Sequence, residues 1–139
     1  DLAMFLAKSP IVSVSADFMK DSMNLNNTVV INLKMKNGSI ASINYFSNGN
    51  NNLPKEFIEV FSNGMIGQIN DYKSLTLISN KKTLKVYKQD KGHKNCLSAF
   101  INSINKGLPC PISFEEQYLV SYASLMVNKS LSENRKIKI

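Results

Sequence analysis

The stretch Gly38–Gly64, GSIASINYFSNGNNNLPKEFIEVFSNG, decides the fold. It reads as a strand, an Asn-rich corner, and a second strand that ends in an Asn-Gly turn. Ser39–Phe46 is the first strand. Asn48-Gly49-Asn50-Asn51-Asn52 forms the corner, and Pro54, which has no backbone N–H, keeps the next strand from starting early. Glu56–Phe61 is the second strand, and Asn63-Gly64 turns it back into Met65–Ile69. Just upstream, Thr28–Lys36 places Val29, Ile31, Leu33 and Met35 on one face and Asn32, Lys34 and Lys36 on the other. Asn37-Gly38 joins it to Ser39–Phe46 as a hairpin signal, because a type I′ turn requires positive φ at both central residues.

Working outward, Leu2, Phe5 and Leu6 fall at helical spacing, and Ser9-Pro10 ends that pattern. Ile11–Ala16 reads as a strand, and residues 17–27 read as a polar loop. Ser74–Ile78 and Thr83–Tyr87 make a further hairpin across Asn80-Lys81-Lys82. That gives about seven short strands, mostly hairpin-linked, so the sheet is expected to be antiparallel. The period then changes. Cys96, Leu97, Phe100, Ile101 and Ile104 share one helical face, and Gly107, Pro109 and Pro111 stop that helix. Ser113 with Glu116 is a capping-box start for a helix over Phe114–Leu131. That helix is expected to bury Tyr118, Tyr122, Leu125 and Met126. The tail Lys136–Ile139 alternates like a short final strand.

Strands first and helices last predict an α+β fold, an open, mostly antiparallel β-sheet with helices packed on one face. Residues 1–139 are expected to form one domain. Ile40 and Phe46 oppose Ile43 and Tyr45 across the sheet, so apolar residues stand on both faces. That predicts a homo-oligomer through the open face.

Composition excludes several classes. The apolar fraction, 43%, is that of a globular chain, and no run approaches membrane-spanning length. The net charge of +7 comes entirely from residues 71–139, with eleven Lys, one Arg and five acids. Nucleic-acid recognition favours arginine, and the lysines are not interleaved with aromatics, so no nucleic-acid partner is expected. Cys96 and Cys110 do not form a disulfide framework and read as buried or inert thiols of a reducing, cytoplasmic compartment. Asn-X-Ser/Thr patterns at Asn26, Asn37 and Asn128 are expected by chance in an Asn-rich chain.

No catalytic set is legible. Gly64-Met65-Ile66-Gly67 is too short for a dinucleotide fingerprint. One His and two unpaired Cys cannot build a zinc site alone. The binding candidates are His93 and Lys91, at the start of the first long helix, where free N–H groups suit an anionic ligand. His93 also aligns with Leu97 and Phe100, so a core-capping role is the plainer alternative. Asn48, Asn50 and Lys55 flank the corner and can hydrogen-bond a polyol. An Asn-rich turn tolerating positive φ is the plainer alternative there.

Five segments carry a resemblance: Asp1–Leu6 (DLAMFL), Ala41–Asn50 (ASINYFSNGN), Pro54-Lys55-Glu56, Gln89–His93 (QDKGH) and Pro111–Glu116 (PISFEE). Together, in their order and spacing, they resemble the C-terminal domain of the glucose–fructose oxidoreductase / inositol dehydrogenase family, over nearly the whole chain. Pro54–Glu56 and Gln89–His93 resemble a branch linked to surface-polysaccharide sugars. The resemblance implies a substrate and oligomerisation domain whose parent adds a Rossmann domain binding NAD or NADP. It implies a small sugar, sugar-nucleotide or cyclitol substrate. The family's catalytic Lys lies in the Rossmann half, and its catalytic His just ahead of a segment like Asp1-Leu2. The chain is therefore expected to be a detached domain, inactive alone, with no catalytic residue and no cofactor of its own. The rival expectation is a stand-alone, non-catalytic interaction module using its open sheet to bind a protein.

Overall fold

A computed structural model describes residues 1–20, 22, 27–79 and 83–139, with the side chains of 83–86 set aside. The elements run α1 (Leu2–Ala7), β1 (Ile11–Phe18), β2 (Thr28–Met35), β3 (Ile40–Phe46), β4 (Phe57–Ser62), β5 (Met65–Asn70), β6 (Ser74–Ile78), β7 (Thr83–Tyr87), α2 (His93–Asn105), α3 (Phe114–Glu133) and β8 (Ile137–Lys138). The fold is α+β, and every strand pairing is antiparallel. The strands divide into two four-stranded sheets, β3-β2-β1-β8 and β4-β5-β6-β7. A single continuous sheet is the simpler reading of the sequence. The break falls at the Asn-rich corner, where, among the described residues, β3 pairs only with β2 and β4 only with β5.

The chain forms two compact units, Asp1–Asn48 with Pro109–Ile139, and Gly49–Leu108. The first holds the core of Met4, Ile11, Val14, Leu33, Met35, Ala123 and Ile137. Register explains why these residues meet: Val14 faces Leu33 on β2 and Ile137 on β8, so one side of the sheet is a continuous apolar surface. Helix α3 lies over β1 and β8 on that side.

The face that α3 buries differs from the expected one. Ala123 and Ser130 are buried, with Leu119, Val120, Met126 and Val127 partly so. Tyr118 and Leu125 stay exposed, at 59% and 62%. Phe114, Tyr118 and Tyr122 instead stack on one another along the outside, with centroids 6.3 and 6.0 Å apart. The small Ala123 lets the helix approach the sheet; a tyrosine ring on that side would hold it off.

Local signals behave as residue chemistry dictates. Ser113 Oγ accepts from the Glu116 N–H at 3.1 Å, and the Glu116 carboxylate accepts from the Ser113 N–H at 3.2 Å, completing the capping box. Gly107 (φ +61) ends α2, with its N–H on the Ile104 carbonyl and the Leu108 N–H on that of Ser103. The Asn63-Gly64 turn is type I′, with φ of 48 and 74. The Asn37-Gly38 turn is not: only Gly38 has positive φ, and the Gly38 N–H returns to the Met35 carbonyl. This three-residue loop frees Asn37 to bond the Ser9 hydroxyl through its N–H and the Ala7 carbonyl through Nδ2.

Candidate functional site

The second unit brings three separate loops to one end of its sheet. The corner comes first. Asn50 Oδ1 accepts from the Asn52 N–H at 2.9 Å, and the Asn50 carbonyl from the Leu53 N–H at 3.1 Å. This local bonding spends the Asn50 oxygens on shaping the turn. The corner exits through Lys55 to Glu56, whose carbonyl accepts from the Asp71 N–H at 2.7 Å.

Asp71 and Tyr72 form the tip between β5 and β6, both with positive φ (49 and 52). The Tyr72 carbonyl accepts from the Asp90 N–H at 3.1 Å. Asp90 Oδ1 accepts from the Gly92 N–H at 2.7 Å, and Gly92 (φ +75) caps α2, whose first residue is His93. A backbone path therefore links the corner exit, the tip and the start of α2.

Charge follows the same path. Lys73 Nζ lies 2.6 Å from Asp71 Oδ2. Its hydrogen bond first, and then its charge and that of Lys91, hold the Asp71 carboxyl below the ordinary carboxylate range, against an opposing push from desolvation. The sequence alone does not mark Asp71 and Tyr72, because two adjacent non-glycine residues with positive φ carry no turn signature.

Lys55, Lys91 and His93 are exposed at this end of the sheet, and so is Asn50 at the corner. Asn48 is exposed at the close of the first unit. The apolar stripe of α2 is exposed rather than buried, with Leu97 at 61% and Ile104 at 64%, so His93 does not cap a core. Cys96 and Cys110 are free and exposed, so burial, one of the two expected alternatives, does not hold; Cys96 lies on this same uncovered helix. Gly64 and Gly67 belong to a hairpin and to β5, not to a strand–helix turn, so they do not fit a dinucleotide phosphate. No group among the described residues has the makings of a metal site, and none of their helices is long and apolar enough to cross a membrane.

No protein-family model matches the sequence, and no curated protein does. Solved structures do match in fold. An oxidoreductase from Agrobacterium radiobacter, in complex with NAD+, L-tartaric acid and magnesium, superposes with a TM-score of 0.80 at 11% identity, over 99% of this chain and 46% of that one. An aldose-aldose oxidoreductase from Caulobacter crescentus gives 0.80 at 13%, over 99% and 44%. A UDP-N-acetylglucosamine 3-dehydrogenase from Acidithiobacillus ferrooxidans gives 0.78 at 15%, over 94% and 43%. The chain spans a little under half the length of these neighbours. The likeness is one of fold: the chain shares the α+β architecture of a little under half of each of these oxidoreductases.

Proposed function

We propose that this chain is the substrate-binding and oligomerisation domain of an NAD(P)-dependent dehydrogenase acting on a sugar, sugar nucleotide or cyclitol. The observation that carries this reading is the superposition of 99% of the chain onto less than half of a larger NAD+-bound oxidoreductase. In such a reaction hydride passes between a carbinol carbon and the nicotinamide, while a base takes the hydroxyl proton. On this reading the nicotinamide site and the base lie outside residues 1–139, in a nucleotide-binding domain that completes the enzyme.

Within the chain, Asn50, Lys55, Lys91 and His93 are the proposed substrate contacts in the second unit. Asn48 is a separate candidate at the end of the first. Exposed polar donors at loop tips suit a hydroxylated ligand. The proposed oligomer contact is the uncovered face of the first sheet, where Ile40 is 78% exposed and Phe46 55%. The free cysteines fit a reducing cytoplasm.

The test is a turnover assay of the intact parent enzyme with NAD+ and NADP+ against aldoses, UDP-sugars and cyclitols. Lys91→Ala and His93→Ala are expected to raise KM for the preferred substrate. No nicotinamide-dependent turnover with any of the three classes would remove the reading. A second reading, a non-catalytic protein-interaction module, draws on the exposed apolar residues Phe57, Phe61 and Leu97. A native reading frame without a nucleotide-binding domain would favour it.

A further inference from the structure

The outer edge of the second sheet carries backbone groups whose direction the hairpin fixes. β4 lies at that edge and, among the described residues, pairs only with β5. Ser62 and Met65 flank the two-residue Asn63-Gly64 turn, so they form a hydrogen-bonded pair. Such pairs recur at every second residue, which makes Val60–Gly67 and Ile58–Ile69 the next ones. The Asp71 N–H on the Glu56 carbonyl continues the series. The intervening residues Phe57, Glu59 and Phe61 therefore turn their N–H and C=O groups outward. No further backbone bond reaches them among the described residues.

An unpaired edge is a template for another strand, and native sheets blunt it with lysine, proline or a bulge. β4 has no lysine and no proline, and its register with β5 runs without a shift. Phe57-Ile58-Glu59-Val60-Phe61 has the same order of side-chain classes in both directions: aromatic, aliphatic, carboxylate, aliphatic, aromatic. An antiparallel copy centred on Glu59 sets Phe57 against Phe61 and Ile58 against Val60, like class on like class. Glu59 is one of the outward-bonding residues, so a two-fold axis through it is a permitted register. Phe57 and Phe61 share one face and are 62% and 69% exposed, which leaves them free for cross-strand aromatic pairing. The adverse contact is Glu59 against its own copy. Gln68 Nε2 donates to Glu59 Oε1 at 2.7 Å, which draws each carboxylate over its own β5 and away from the axis.

We propose that two copies of this chain pair through β4, antiparallel about Glu59, and so join their second sheets edge to edge. Glu59 with its copy, and Phe57 with Phe61 of the second copy, exchange N–H···O=C bonds that supply the affinity; the symmetry of the side chains supplies the selectivity. The contact is separate from the uncovered face of the first sheet and does not rest on the dehydrogenase reading.

The experiment is amide hydrogen exchange, followed by nitrogen-15 NMR, on the full 139-residue chain over a dilution series up to about 1 mM. Exchange is expected to slow with concentration at Phe57, Glu59 and Phe61, while Ile58 and Val60, already bonded to β5, stay protected throughout. A contact through the face of the first sheet does not produce this alternation. Glu59→Pro removes the central N–H and leaves the bonds to β5 in place. It is expected to weaken the association at least ~tenfold, read as loss of the concentration-dependent protection at Phe57 and Phe61. Glu59→Gln removes the like-charge contact and tightens the association roughly fivefold. Ile40→Ser leaves it unchanged. Exchange at the three amides that is independent of concentration, or protection undiminished by Glu59→Pro, would overturn the proposal. A circular dichroism spectrum matching the parent chain establishes that each variant is folded.

Discussion

Ser130 Oγ accepts a hydrogen bond from the Ala16 backbone N–H at 3.1 Å, across 114 residues of sequence. Ala16 lies on β1 beyond the end of the short β8 ladder, which pairs only Ser13 and Val14. The hydroxyl thus takes over where the strand stops. It also donates to the Arg135 carbonyl at 2.6 Å, fixing the chain as it leaves α3 for β8. Ser130 is 1% exposed, so no water can substitute. Ser130→Ala strands the Ala16 N–H and is expected to cost about 2–3 kcal/mol. Urea unfolding checks it: an unchanged midpoint would mean that the bond carries no stability.

The orientation of α3 gives a paired test. Met35, 1% exposed, belongs to the core cluster that also holds Ala123 of α3, and Met35→Ala is expected to cost about 2–5 kcal/mol through lost burial and the cavity left behind. Tyr118→Ala, on the outer stack, is expected to cost less than about 1 kcal/mol. Equal losses at the two positions in the same unfolding assay would contradict the face described for α3.

Asp71 should titrate below its ordinary value of 3.8 because Lys73 bonds the ionised form. A carboxyl whose pKa is lower folded than unfolded stabilises the fold above the unfolded value. That contribution falls away as pH drops below 3.8 and through the folded pKa. The expected signature is a carbon-13 carboxyl titration shifted down in the parent chain and moved back up in Lys73→Met. An identical titration in both would remove the Asp71–Lys73 pair from the account.

The tip residue Tyr72 holds φ near +52, where a β-branched side chain is strongly disfavoured. Tyr72→Val should therefore lower stability by roughly 1 kcal/mol. Tyr72→Asn, which tolerates that conformation, should not lower it through the backbone. Thermal melts of the two variants decide the point: equal melting temperatures would argue against the positive φ of Tyr72 at this tip.

Much of the local architecture was legible because it depends on neighbours in sequence. The alternation from Val29 to Met35 could only be a half-buried strand, and it is. Ser113 and Glu116 could cap a helix by themselves, and they do. The Asn80-Lys81-Lys82 turn lies outside the described residues, though the pairing of β6 with β7 around it matches the hairpin read there. The candidate site was legible only in pieces. Lys55, Lys91 and His93 were marked by residue type, but Asp71 and Tyr72 came into view only through the backbone bonds to Glu56 and Asp90.

The sequence by itself determined the α+β class, the antiparallel hairpins, the helix limits and the absence of a dinucleotide motif. Each rests on periodicity, capping or turn chemistry within a few residues. The tertiary structure decided which side of α3 is buried, where the sheet breaks and which donors meet. Ala123 rather than Tyr118 faces β1 because helix–sheet approach depends on side-chain volume at the contact, not on hydrophobicity alone. Phe57, Glu59 and Phe61 turn their backbone groups to the free edge of β4 because the ladder with β5 takes every second residue, and register is a property of paired strands.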